Sequence, residues 1–300
     1  MTRRHLLDVE GWSRAEIERV LDVAERMRDR RAHRSLLEEE TVGLAFHEPS
    51  TRTRISFELA AKALGATVVD LSFAGSSMAK GESLVDTLRT LERTGITTLV
   101  LRHAAAGTPH LAARTTGLRI VNAGDGTHAH PTQALVDALT LRDAIGPLDG
   151  RTVVIIGDVT RSRVARSNLH ALTTLGANVR VAGPAAWVRG FDAWPGVGVA
   201  TSLAEALDGA DAVMALRVQV ERAATETGPS LAEYAQAWRL DGERMRVAAS
   251  GAPVLHPGPT NEGVEISAEL AIGPSSLIGR QVENGVPVRM AVLALLAGAA

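Results

Sequence analysis

Cysteine is absent from this 300-residue chain, which removes disulfides, thiol nucleophiles and thiolate metal sites and makes a reducing cytoplasm the default compartment. Aromatic residues reach only 3%, so the interior must be built from Ala, Val, Leu and Ile. Neither charge sign dominates. A net charge of -2 lacks the basic surface a general nucleic-acid binder needs for counterion release, so any anion must be held locally. No uncharged run approaches the ~20 residues that span a bilayer, and the start "MTRRHLLDVEGW" has no apolar segment of a secretory signal. A cytoplasmic protein with no membrane and no nucleic-acid partner is expected.

Several chemical motifs are missing too. Neither GxxxxGK[ST] nor GxGxxG follows any strand-like run, and "IIGDVTRSR" has a single glycine, so a nucleotide cofactor is not supported. No HExxH, no carboxylate cluster with metal spacing and no GxSxG elbow occurs, so neither a metal nor a cofactor is expected. A reaction that needs only positioned donors and one imidazole remains.

What is present is alternation. Ser13 and Glu16 form a capping box ahead of Ile17, Val20, Leu21, Ala24 and Met27 on one helical face. Beyond Glu40 the runs "TVGLAF", "ATVVDLSF", "TTLVLRH", "RIVNAG", "RTVVIIGDV", "NVRVAGP", "ADAVMALR" and "APVLHPG" alternate with helical patterns, the signature of βαβ units around a parallel sheet. The fold class is therefore α/β, with two domains that each carry a mainly parallel sheet of about four strands flanked by helices. Gly146-Pro147 marks the boundary. One domain covers 1–146, with the C-terminal helix 286–300 packing back on it, and the other covers 147–285.

Ligands of open parallel sheets bind at the carboxyl ends of strands, and the polar residues of this chain gather there. Ser50, Thr51, Arg52 and Thr53 follow the first run and open a helix, converging hydroxyls, guanidinium and backbone N–H groups on one point suited to phosphate. The same residues would also serve as a plain N-cap with surface arginines. Arg102, His103, His130, Gln133, Ser76 and Lys80 follow other strands of this half. Arg163 and Arg166, then Arg217, Gln219, Glu221 and Arg222, then "HPGP" (His256 to Pro259) follow strands of the second half. The prolines in that last turn present carbonyls as acceptors. Donors for anions come from both halves, with the ligand expected in the crevice between them.

These segments resemble a known family. "EPSTRTR", "SSMAKGESLVDT", "LRH", "AGDGTHAHPTQALVDALT", "GDVTRSRVARSN", "LRVQVER", "HPGPTNEGVEI" and "QVENGVPVRMAVL" occur in the order found in aspartate carbamoyltransferase catalytic chains, over nearly the whole chain. STRTR and HPTQ mark aspartate and ornithine carbamoyltransferases alike. "RVQxER" and "HPGP" are similar to the aspartate enzymes, whereas the ornithine enzymes usually carry His-Cys-Leu-Pro at the last site.

The resemblance implies roles residue by residue. Ser50, Thr51, Arg52 and Thr53 would hold the phosphate of carbamoyl phosphate, Arg102 would bridge phosphate and carbonyl, and His130 would donate to the carbonyl oxygen. Gln133 and the carbonyls of Pro257 and Gly258 would bind the carbamoyl NH2, and Arg163, Arg217 and Gln219 the carboxylates of L-aspartate. Ser76 and Lys80 would reach into a neighbouring subunit's site, making a homotrimer with shared sites. Carbamoylation of aspartate in pyrimidine biosynthesis is the function implied, against a carbamoyltransferase for another amine or a non-catalytic homologue. A regulatory chain or an upstream synthetase is a further partner that the resemblance leaves open.

Two positions depart from the pattern. Glu262 stands where arginine is common and Arg161 where histidine is frequent. Facing the acceptor pocket, Glu262 would repel a dianion; otherwise it points away, pairs with Arg161 or another cation, or the acceptor is not aspartate.

Overall fold

In the computed structural model, which describes residues 4–71, 83–218 and 229–300, the β-branched runs become two all-parallel sheets. The chain divides into two compact units, Met1–Val136 with Val282–Ala300, and Asp137–Gln281.

The first unit begins with α1 (Arg14–Arg26), whose capping box is realised: the Glu16 N–H donates to Ser13 Oγ at 3.3 Å while Glu16 Oε2 accepts from the Ser13 N–H at 2.9 Å. Next come β1 (Thr41–Phe46), α2 (Thr51–Ala63), β2 (Thr67–Leu71), α3 (Leu84–Arg93), β3 (Thr98–His103), α4 (Thr108–Thr115) and β4 (Arg119–Asp125). The sheet order is β2-β1-β3-β4. Central strands covered on both faces are apolar throughout rather than alternating, as in β1, where Val42 to Ala45 are all buried. Leu99, Leu101, Ile120, Leu88 and Ala112 form the core on one side. α2 stops at Gly65, whose φ of +88° suits the left-handed residue after a helix and whose missing Cβ would lie 2.0 Å from the Arg34 carbonyl oxygen.

α5 (Pro131–Ile145) links the two units. The second holds β5 (Thr152–Ile156), α6 (Arg163–Thr174), β6 (Asn178–Ala182), β7 (Val197–Ala200), α7 (Leu203–Leu207), β8 (Ala212–Ala215), α8 (Leu231–Trp238), β9 (Val254–Leu255) and α9 (Ala268–Ile272). Its sheet has five strands in the order β7-β6-β5-β8-β9, one more than expected. The extra strand, β7, is four residues long with a glycine inside and sits at the edge, so neither length nor pattern announced it. Val154, Ile156, Val213, Trp187, Tyr234 and Ile266 build this unit's core.

α10 (Ile278–Ala297) ends the chain. It packs back on the first unit as expected: Arg289, 4% exposed, donates from Nη1 to Ser56 Oγ at 3.0 Å and sets its guanidinium 5.1 Å from the Phe57 ring, both on α2. Among the described residues no helix is long and apolar enough to cross a membrane.

Buried polar groups also tie the second unit together. The buried Asp137 carboxyl accepts from Asn168 Nδ2 and from Gln281 Nε2, each at 2.8 Å. Asp137→Ala strands both amide donors in the interior and should cost about 2–4 kcal/mol. Arg54→Ala, which breaks a 2.7 Å pair with the exposed Asp70, should cost at most about 1 kcal/mol. Urea unfolding of the two variants checks this, and equal losses would refute the assignment.

Candidate active site

In the first sheet the chain runs from β1 outward to β2 and then returns to the other side of β1, so the order of connections reverses between β1 and β3. A crevice opens at the carboxyl ends of strands where such a reversal occurs. β1 leads into Ser50–Thr53 and β3 ends on Arg102 and His103, with Phe46 paired to Arg102 in register. The next strand, β4, leads to His130, just before α5, and to Gln133 in its first turn, where the His130 carbonyl accepts from the Gln133 N–H at 3.0 Å. Three adjacent strand ends thus present Ser50 to Thr53, Arg102, His103, His130 and Gln133.

Ser50 stands at the N-cap of α2 yet makes no side-chain capping bond. Ser13, Ser83, Ser162, Ser202, Ser230 and Ser267, at other helix starts, each accept from a backbone N–H. The Ser50 hydroxyl therefore does not serve as a side-chain cap, while Arg52 is exposed as the plain N-cap reading also has it. Charge placement agrees. A helix start is electropositive and favours acids by about 0.3–1 kcal/mol, and α1, α3, α7 and α8 carry Glu16, Asp86, Glu205 and Glu233 there. The first turn of α2 has no acid and carries Arg52, an arrangement suited to a bound anion. Thr53 is buried at 7% exposure, and Arg102 donates from Nη1 to the Ala123 carbonyl at 3.3 Å while its Nε lies 3.5 Å from Glu48 Oε2.

The second sheet repeats the device. Its reversal falls between β5 and β8. β5 leads to Arg163, the first residue of α6, whose first turn again has no acid. β8 leads to Arg217, and the adjacent β9 to Pro257 and Gly258. Two buried groups fix that last turn: His256 Nδ1 accepts from the Gly258 N–H at 2.8 Å, which leaves Nε2 to donate to Glu265 Oε1 at 3.1 Å, and the His256 N–H donates to Gln281 Oε1 at 3.0 Å. Arg161 pairs with Asp158 at 3.0 Å rather than with Glu262. Glu262 is exposed and makes no ion pair with the described residues. Ser76, Lys80 and Gln219 lie outside the described residues, as do Glu221 and Arg222.

Comparison with known proteins agrees with the geometry. Residues 4–143 match the aspartate/ornithine carbamoyltransferase carbamoyl-P binding domain and residues 149–296 the Asp/Orn binding domain of the same family. The chain is 52% identical to the aspartate carbamoyltransferase catalytic subunit of Sorangium cellulosum, covering 99% of this chain and 94% of that protein. It is 50% identical to that of Myxococcus xanthus, with 97% and 98% covered. Among solved structures it is similar to aspartate transcarbamoylase from Trypanosoma cruzi in complex with carbamoyl phosphate and aspartate (TM-score 0.86, 31% identity, 97% of this chain and 95% of that one). It is also similar to ornithine carbamoyltransferase from Thermus thermophilus (TM-score 0.86, 30% identity, 99% of each chain). Fold alone does not separate the two acceptors; the polar residues at the strand ends must.

Sequence reasoning missed Glu48, although it directly precedes the Pro49–Ser50 turn, and the pairing of His47 with His103. Their rings meet edge-on with centroids 4.7 Å apart. Burial, reinforced by the neighbouring His103, lowers the His47 pKa to about 4. The unfolded chain takes up this proton near pH 6.5 and the folded one does not until about pH 4, so stability falls as pH drops through that window and is unaffected above it. His47→Gln should shrink the loss of urea-unfolding midpoint between about pH 7 and about pH 4.5; a loss equal to the wild type's would contradict the burial.

Proposed function

Because the chain belongs to the aspartate/ornithine carbamoyltransferase family, we propose that it transfers the carbamoyl group of carbamoyl phosphate to the amine of L-aspartate, giving N-carbamoyl-L-aspartate and phosphate. The uncapped, acid-free start of α2 holds the phosphate through Ser50, Thr51, Arg52 and Thr53. The amine nitrogen attacks the carbamoyl carbon, negative charge builds on the carbonyl oxygen opposite His130 and Arg102, the carbon–oxygen bond to phosphate breaks, and the departing phosphate accepts the amine proton. Preorganised donors stabilise that oxyanion without covalent catalysis. Gln133 and the carbonyls of Pro257 and Gly258 orient the carbamoyl NH2.

The observation that carries the acceptor is the pair of guanidiniums after adjacent strands, Arg163 on an acid-free helix start and Arg217 beyond β8. Together with Gln219 they suit two carboxylates. Relatives at about half identity bear the name of the aspartate enzyme. Glu262, the residue that argued for another amine, is exposed. Ser76 and Lys80 come from a second copy in a homotrimer, and the product enters pyrimidine biosynthesis in the cytoplasm.

Steady-state assays with carbamoyl phosphate and a panel of amines test this. Charged hydrogen bonds are worth roughly 1.5–3 kcal/mol each and an unpaired buried charge costs more, so aspartate should exceed ornithine by at least ~10³ in kcat/KM. A faster reaction with ornithine, or with any diamino acid, would overturn the assignment.

A further inference from the structure

Asp125 lies at the carboxyl end of β4 with no solvent exposure, and nothing in the transfer chemistry requires a carboxylate there. Its Oδ1 accepts from Asn122 Nδ2 at 2.8 Å and from the Ala129 N–H at 3.1 Å, and its Oδ2 from the Gly107 N–H at 2.7 Å. His128 Nδ1 lies 3.1 Å from the same Oδ2. The backbone closes around it: the Asp125 N–H donates to the Ala129 carbonyl at 3.1 Å, the His128 N–H to the Asp125 carbonyl at 2.9 Å, and the Gly126 N–H to the His103 carbonyl at 3.0 Å. Gly126 itself has φ +46°, and a Cβ there would stand 2.9 Å from the Ala106 nitrogen. One carboxylate thereby ties β4, the loop between β3 and α4, and the short segment that ends at His130.

We propose that Asp125 is the positioning residue for His130, acting through the Gly126–Ala129 loop, with His128 as its adjustable donor. A donor to a developing oxyanion must be held within tenths of an ångström, and a displacement of 1 Å can cost about a hundredfold in rate. Asp125 supplies that restraint from behind the loop. His128 is the donor with its side chain partly in solvent, at 38% exposure, and its far side meets the His110 ring at 5.6 Å, whose Nε2 is 3.2 Å from Asp8 Oδ2. The role rests on the carbamoyl-transfer reading, in which His130 acts on the carbonyl and Ser50–Thr53 on the phosphate. It therefore separates turnover from phosphate binding.

Kinetics with carbamoyl phosphate and aspartate, paired with calorimetric titration of inorganic phosphate, test this. Asp125→Asn turns an amide NH2 toward N–H donors and should lower kcat by about thirtyfold or more while phosphate affinity stays within about threefold. His128→Ala, a change at a partly exposed side chain, should lower kcat by about three- to tenfold, and His128→Asn, which restores a donor, should recover it to within about twofold. An Asp125→Asn protein with wild-type kcat, or one that loses phosphate affinity in proportion to kcat, overturns the positioning role. If Asp125→Asn does not fold, an unchanged kcat in His128→Ala overturns it instead. A wild type that carbamoylates no amine removes the functional reading and this role together, whereas wild-type turnover with insensitive variants removes the role alone.

Discussion

The structure turns on a charge placed against the local rule. Helix starts repel cations, yet α2 and α6, the helices that leave the central strands β1 and β5, open with Arg52 and Arg163 and carry no acid in their own first turns. Both stand where the order of strand connections reverses, so topology and electrostatics select the same two places. In the proposed function an anion binds at each of these starts, the phosphate at the first and a carboxylate of the acceptor at the second.

Around these points the interior serves to hold loops still. Asp125 gathers donors from three segments of the first unit, Asp137 and Gln281 support the backbone of His256 in the second, and Glu265 orients the His256 ring behind Pro257 and Gly258. Arg289 reaches from α10 to Ser56 and the Phe57 ring, so the end of the chain braces α2, the helix that opens with Ser50 to Thr53. Each is a buried polar group satisfied by more than one partner, the arrangement in which such groups specify a unique geometry.

Much of this was legible in the residues. The strand runs from Thr41 to Leu255 are real and parallel, and the donors after them that fall within the described residues lie where a parallel sheet puts its ligands. β7 escaped because four residues with a glycine carry no pattern, and its partner β6 supplies the order. Glu48, Asp125 and Glu265 escaped for a different reason: a single acid in a polar loop has no periodicity, and its meaning lies in N–H donors that arrive from distant sequence, such as Gly107 for Asp125. Arg161 and Glu262 could not be placed from spacing. The structure gives Arg161 to Asp158 and leaves Glu262 exposed, because the β5–α6 turn brings Arg161 back over its own strand end.

In the proposed function labour is divided, with the phosphate read by the first helix start and the acceptor by the second. Calorimetric titration of inorganic phosphate tests it most directly. Arg52→Ala should weaken phosphate binding by about a hundredfold, since it removes charge-assisted hydrogen bonds from the anion, while Arg163→Ala should leave it within about twofold. Wild-type affinity in Arg52→Ala, or an equal loss in Arg163→Ala, would contradict the account.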